Sequence, residues 1–179
     1  MNTTTSSNRI ATRRASRLDA FIRRVAAQRA CLNHAAALLA GMDGPVLEFG
    51  LGNGRTYDHL RALFPGRDIF VFDREIAAHP DSVPDAGHMR LGDFGETLPG
   101  FAREGRPRAV LAHADIGSPD RARDAALAAW LGPALAPLLA PGAIVAADRA
   151  MDVADWEEMT LPAGVPAGDY HLYRVVRTP

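Results

Sequence analysis

Short apolar runs alternate along this chain with stretches in which apolar residues recur every three or four positions. The runs are Val46-Leu47-Glu48-Phe49, Ile69-Phe70-Val71-Phe72, Met89-Arg90-Leu91, Ala109-Val110-Leu111-Ala112-His113 and Ala143-Ile144-Val145-Ala146-Ala147. Helical periodicity marks Ser16 to about Leu39, through Leu18, Phe21, Ile22, Val25, Ala26, Leu32, Ala35, Ala36 and Leu39. A second helix is expected over Thr56 to Phe64, stopped by Pro65-Gly66. A third is expected through Ala125 to Leu131, with Ser118 as N-cap and Pro119 at its first position. It continues from Pro133 to Leu139 and ends at the turn Leu139-Ala140-Pro141-Gly142. Between Glu75 and Gly87, His79-Pro80 and Val83-Pro84 leave room only for a short helix or none. Such alternation implies a parallel sheet with right-handed crossovers. Two last runs, Trp156 to Leu161 and Tyr170 to Val176, are joined by a Pro/Gly-rich turn.

One junction carries chemistry. The first strand leads into Gly50-Leu51-Gly52-Asn53-Gly54-Arg55-Thr56-Tyr57, with glycines at alternate positions and a helix directly behind them. Glycine supplies unusual backbone angles and removes the Cβ atoms that would hold a ligand off, and the helix start offers unpaired N–H groups. A strand feeding such a turn places a ligand at the carboxyl edge of the sheet. A dinucleotide fingerprint, G-x-G-x-x-G, needs its third glycine where Arg55 stands, so a nicotinamide-dependent oxidoreductase is disfavoured.

Glu48-x-Gly50-x-Gly52-x-Gly54 instead resembles the first motif of class I S-adenosylmethionine-dependent methyltransferases. The resemblance extends to Asp73 at the end of the second run, Gly92-Asp93-Phe94 after the third and His113-Ala114-Asp115-Ile116-Gly117 after the fourth. Together with Phe72-Asp73-Arg74 and His79-Pro80-Asp81-Ser82, these phrases are similar to a small bacterial group of such enzymes, which supplies a cofactor and a fold and leaves the acceptor open. The resemblance covers about Pro45 to Arg177. It implies an α/β, Rossmann-like methyltransferase fold, with a mostly parallel seven-stranded sheet, an antiparallel C-terminal strand pair and an N-terminal helix.

It also implies site residues. S-adenosylmethionine is expected at Glu48, Gly50, Leu51, Gly52, Asn53, Gly54, Arg55, Thr56, Tyr57, Asp73, Arg74, Gly92, Asp93 and Phe94. Asp73 would accept from both ribose hydroxyls, as an acceptor-only carboxylate suits a cis-diol. Asp93 would meet the adenine amine, with Phe94 over the ring face or in the core. Tyr57 either reaches the cofactor or packs under the sheet. Candidate bases lie where the fourth and fifth strands end, at His113 and Asp115 and then at Asp148. Asp115 and Asp148 echo the acids of metal-dependent O-methyltransferases, but Arg149 stands where an Asn would be, and no metal is expected. The Asn/Asp-Pro-Pro-aromatic turn of amino-methylating DNA enzymes has no counterpart in Ala114-Asp115-Ile116-Gly117.

Composition narrows the partners. A chain of 179 residues with formal charge −1 fits one domain and argues against the basic excess of nucleic-acid binders. All twenty basic residues besides histidine are Arg, so lysine chemistry is excluded. No segment reaches the ~20 apolar residues of a membrane span. The single Cys31 fits a reducing cytoplasm, and residues 1–15 read as a floppy tail before a single domain over 16–179. Arg17, Arg23, Arg24 and Arg29 are expected on the wet face of the leading helix, spanning 16–40. Trp130 and Trp156 are expected in the core or at an interface. The expectation is a cytoplasmic methyltransferase acting on a small-molecule acceptor, with no nucleic acid and no membrane and with no signal for oligomeric state. The alternative is a non-catalytic S-adenosylmethionine or S-adenosylhomocysteine binder.

Overall fold

Ser16 starts the first helix through a reciprocal capping box: its hydroxyl accepts from the Asp19 amide, and the Asp19 carboxylate accepts from the Ser16 amide. In this computed structural model, which describes residues 16–177, helix α1 spans Arg17–Leu38. The tail expected over 1–15 lies outside the described residues. Strand β1 (Val46–Phe49) feeds α2 (Arg55–Leu63), and β2 (Ile69–Asp73) follows. The Pro-rich crossover holds a single 3₁₀ turn at Pro80–Ser82, as its prolines require. Then come β3 (Met89–Leu91), α3 (Phe94–Arg103), β4 (Ala109–Ala114), α4 (Arg121–Leu135) and β5 (Leu139–Ala147), closed by β6 (Trp156–Glu158) and β7 (His171–Val175). No helix among the described residues is long and apolar enough to cross a membrane.

Seven strands among the described residues form one sheet in the order β3-β2-β1-β4-β5-β7-β6. The first five neighbours are parallel, and β7 runs antiparallel to both β5 and β6. Strand order reverses between β1 and β4, so the crossovers leaving these two strands diverge and open a crevice at their carboxyl ends.

Two apolar layers enclose the sheet. Leu47 and Phe49 of β1, Phe70 and Phe72 of β2 and Val145 of β5 meet Leu98 and Phe101 of α3 and Leu131 and Leu135 of α4. On the opposite face Val46, Val71, Ile144 and Leu172 meet Leu32 and Ala35 of α1 and Leu60 of α2. The continuous apolar runs follow from this double coverage.

Several expectations need correction. Helix α4 is capped by Asp120, which accepts from the Arg123 amide, and not by Ser118. Ser118 gives both its amide and its hydroxyl to the buried Asp124 carboxylate, at 2.7 Å each, a stronger pull than helix capping. Strand β5 begins at Leu139 opposite Ala109, and the residues read as a turn form an irregularity before Leu111 meets Ile144. Gly142 at φ 83° makes that step. Helix α3 was not expected, because Gly95, Pro99 and Gly100 interrupt its pattern; burial of Leu98 and Phe101 stabilises it. Leu18, Phe21 and Ile22, assigned to the apolar face of α1, are 65%, 42% and 53% exposed, and burial along the helix begins only at Ala27. Trp156 is buried, whereas Trp130 is 40% exposed on α4.

Candidate active site

Four parallel strands deliver four groups to the same edge: Asp73 from β2, the glycine loop from β1, Asp115 from β4 and Asp148 from β5. With strands about 4.8 Å apart, these groups extend over roughly 14 Å of sheet edge. They line one cavity of about 1030 Å³, walled on one side by α1 and on the other by the start of α4.

The glycines hold the loop in shape for different reasons. Gly50 has φ 98°, donates to the Phe72 carbonyl at 2.9 Å, and lies where a Cβ would come within 2.6 Å of the Asp115 carbonyl. The loops after β1 and β4 touch only because it has no side chain. Gly54, at φ 80°, begins α2, and a Cβ there would meet the Ser82 Cβ at 2.6 Å. Gly52, at φ 48°, has open space where its Cβ would stand. Its amide donates to Asp73 Oδ2 at 3.1 Å, and the Arg74 amide donates to Asp73 Oδ1 at 2.6 Å.

Asp115 is held from above by α1. Arg24 Nη1 contacts both carboxylate oxygens, at 3.1 and 2.9 Å, and Gln28 Nε2 donates at 3.0 Å. Residues four apart share one helix face, which lets Arg24 and Gln28 act on one carboxylate. Asp148 accepts from the amides of Ile116 and Gly117 at 3.0 Å and pairs with Arg149 at 2.9 Å. Burial pushes the Asp148 carboxyl up, nearby Asp115 adds to this, and the two amides and Arg149 oppose it. Arg149 also bridges to Asp124 at 2.8 Å. Burial acts to raise the Asp124 carboxyl, but Ser118 and Arg149 outweigh it and hold it below the usual carboxylate range.

Beneath the cavity lies a polar cluster closed to solvent. Glu48 and His113 are directly opposite in the β1–β4 register, and both are fully buried. His113 Nδ1 donates to Glu48 Oε2 at 2.5 Å, and His113 Nε2 bonds the Tyr170 hydroxyl. Burial pushes the Glu48 carboxyl up despite the histidine. Burial works against a charged His113, but the Glu48 carboxylate outweighs it and raises the imidazole above its ordinary range.

A family model described as S-adenosyl-L-methionine methyltransferase matches residues 15–175. The chain belongs to that family. It is 45% identical to an S-adenosyl-L-methionine methyltransferase from Silicibacter pomeroyi DSS-3, with 90% of this chain and 99% of that one covered and a TM-score of 0.85. It shares the fold of an O-methyltransferase from Bacillus cereus in complex with S-adenosylhomocysteine, at 15% identity, a TM-score of 0.55 and coverage of 93% and 84%. No curated protein matches it. The chain is thus an S-adenosylmethionine-dependent methyltransferase. The site suits that cofactor: Gly52 leaves a cradle that a Cβ would fill, and Asp73 keeps acceptor capacity beyond the two amides that aim it.

Of the residues expected at the methyltransferase site, Gly50, Leu51, Gly52, Asn53, Arg55, Thr56, Asp73, Arg74, Asp93, Phe94 and Asp115 line the cavity. Glu48, Gly54, Tyr57, Gly92 and His113 do not. Tyr57 is buried among Leu51, Leu60 and Val71, the packing alternative. Asp93 also caps α3, accepting from the Gly95 amide at 2.9 Å. Phe94 lies edge-on to Phe49, with centroids 5.4 Å apart. Arg24, Gln28 and Arg123 were missed as cavity residues, although Arg24 and Arg29 had been placed on a wet helix face. The i, i+4 spacing of Arg24 and Gln28 was visible, but a polar stripe facing a cavity has the same pattern as one facing solvent.

Proposed function

We propose that the chain transfers the methyl group of S-adenosylmethionine in line to a small molecule held between α1 and α4, beside Asp115. The continuous cavity supports this reading most directly. Its volume stands at the upper end of the roughly 300–1,000 Å³ typical of small-molecule sites, enough for a cofactor along β2 and β1 and an acceptor at β4 and β5. Gly50, Gly52 and Asn53 would hold the methionine part, Asp73 the ribose, and Asp93 with Phe94 the adenine. Bound there, the cofactor supplies a methyl group on sulfonium with a thioether as leaving group.

The remaining work is alignment and removal of a proton. Arg24 and Gln28 fix the Asp115 carboxylate at the cavity wall, where it takes the proton of an acceptor hydroxyl or amine. Val25, Leu32, Ile116 and Leu127 exclude water around it. His113, sealed below the floor, is assigned no contact with the acceptor. We place the reaction in a reducing cytoplasm, where the buried Cys31 thiol, pushed up to about 11 by burial, stays protonated.

Calorimetric titration with S-adenosylmethionine, followed by turnover assays, tests this reading. Asp115→Asn is expected to keep cofactor affinity within about threefold while lowering turnover on a hydroxyl or amine acceptor by roughly 10²-fold or more. Tight binding without transfer to any small molecule would leave a non-catalytic binder. Unchanged turnover in Asp115→Asn would remove the base assignment.

A further inference from the structure

Six arginines and four aspartates among the described residues line the cavity, and their pairing is uneven. Arg24 is committed to Asp115, and Arg149 to Asp148 and Asp124. Arg29 and Arg55 flank the glycine-loop end, near His59 and Asn53. Arg29 on α1 and Arg74 at the β2 end also make no side-chain hydrogen bond or ion pair among the described residues, so what marks the β4 end is the pairing of such a guanidinium with an apolar wall, at Arg123. It sits in the first turn of α4 at the β4 end of the cavity, and only its backbone amide is engaged, with Asp120. Its guanidinium makes no ion pair or hydrogen bond among the described residues. One turn further along the same face come Ala126 and Leu127, and Ile116 completes an apolar wall.

Resting on the methyltransferase reading above, we infer that the acceptor is a small carboxylic acid with an apolar body. Its carboxylate pairs with Arg123, its body lies against Ile116, Ala126 and Leu127, and its reacting hydroxyl or amine is presented to Asp115. An unpaired guanidinium at the rim of an apolar wall selects an anion, because its planar fork matches both oxygens of a carboxylate. The two acids nearby do not cancel this field, since each already has its own arginine. A neutral acceptor would leave Arg123 without a counter-charge as the cavity fills, whereas an acid gives it one.

The test is calorimetry on the full chain saturated with S-adenosylhomocysteine, using benzoate, 4-hydroxybenzoate, phenylacetate and octanoate, each beside its primary amide. At least one acid is expected to bind roughly tenfold or more tightly than its amide. Arg123→Ala should erase that preference with S-adenosylhomocysteine affinity unchanged, and Arg123→Lys should restore part of it. Amides that bind as well as acids would overturn the inference. So would an acid preference that survives Arg123→Ala, or failure of every acid to bind a protein that still takes S-adenosylhomocysteine. Weaker S-adenosylhomocysteine binding in Arg123→Ala would assign Arg123 to the cofactor, which also overturns it. Methylation of a neutral phenol or amide by the wild type would sink this inference while sustaining the methyltransferase reading. Failure to bind either cofactor form would sink both.

Discussion

Asp73 and Glu48 are both acids at the inner end of a strand, and their surroundings give them opposite uses. Asp73 is the last residue of β2, its carbonyl still accepting from the Gly92 amide, and its carboxylate is aimed into the cavity by the amides of Gly52 and Arg74. Asp73→Ala removes the carboxylate proposed to hold the ribose, and S-adenosylmethionine should bind roughly tenfold or more weakly by calorimetry. Unaltered affinity would show that the ribose is held elsewhere. Glu48 is two residues deeper than Gly50 in its strand, and its side chain turns to the α1 face and pairs with His113. Type and position in sequence made both acids cofactor candidates. Side-chain direction, set by the period of two along a strand, sends Glu48 into a closed cluster.

At the scale of elements, the loop joining β1 to α2 divides its glycines between folding and binding. A methyl at Gly54 meets Ser82 and Ala78 at under 3 Å, in addition to the strain of a left-handed backbone. Gly54→Ala should lower stability by at least about 1–2 kcal/mol, read from the urea midpoint. A methyl at Gly52 meets nothing and stands in the space read here as the cofactor's. Gly52→Ala shares the left-handed strain but not the clash, so it should cost less stability than Gly54→Ala while losing most S-adenosylmethionine binding. If both variants behave alike, this division of roles is wrong. Helix α1 joins the site by the same logic: Ala27, Cys31, Leu32 and Ala35 anchor it to the sheet, and that docking presents Arg24 and Gln28 to Asp115.

For the whole molecule, the buried Glu48–His113 pair links stability to pH. Both groups bind protons more tightly folded than unfolded, so protonation favours the fold. The Glu48 contribution is complete below its ordinary 4.5 and the His113 contribution below its ordinary 6.5, and each is lost as pH rises through the higher folded value. The urea midpoint should therefore fall as pH rises through and above the ordinary histidine range, and Glu48→Gln should flatten that slope. A wild-type midpoint that rises across this range, or an identical slope in Glu48→Gln, would contradict the assignment.

By itself the sequence determined the order of the strands, every helix but α3, the glycine turn and the acids that end the parallel strands. These are local signals: apolar periodicity, prolines that stop helices, and glycines where backbone angles demand them. The cofactor class was legible through the family resemblance that the glycine turn carries together with Asp73 and Gly92-Asp93-Phe94. Tertiary structure alone decided which polar residues face the cavity and which are sealed beneath it. Glu48 and His113 lie 65 residues apart and meet because β1 and β4 are neighbours. Arg24 reaches Asp115 across 91 residues because α1 packs over the sheet edge. Ser118 left the cap of α4 because Asp124, buried by the fold, offered a stronger acceptor. Each of these outcomes depends on contacts between distant segments, and burial, which sets the cost of every charge, exists only once those segments have packed.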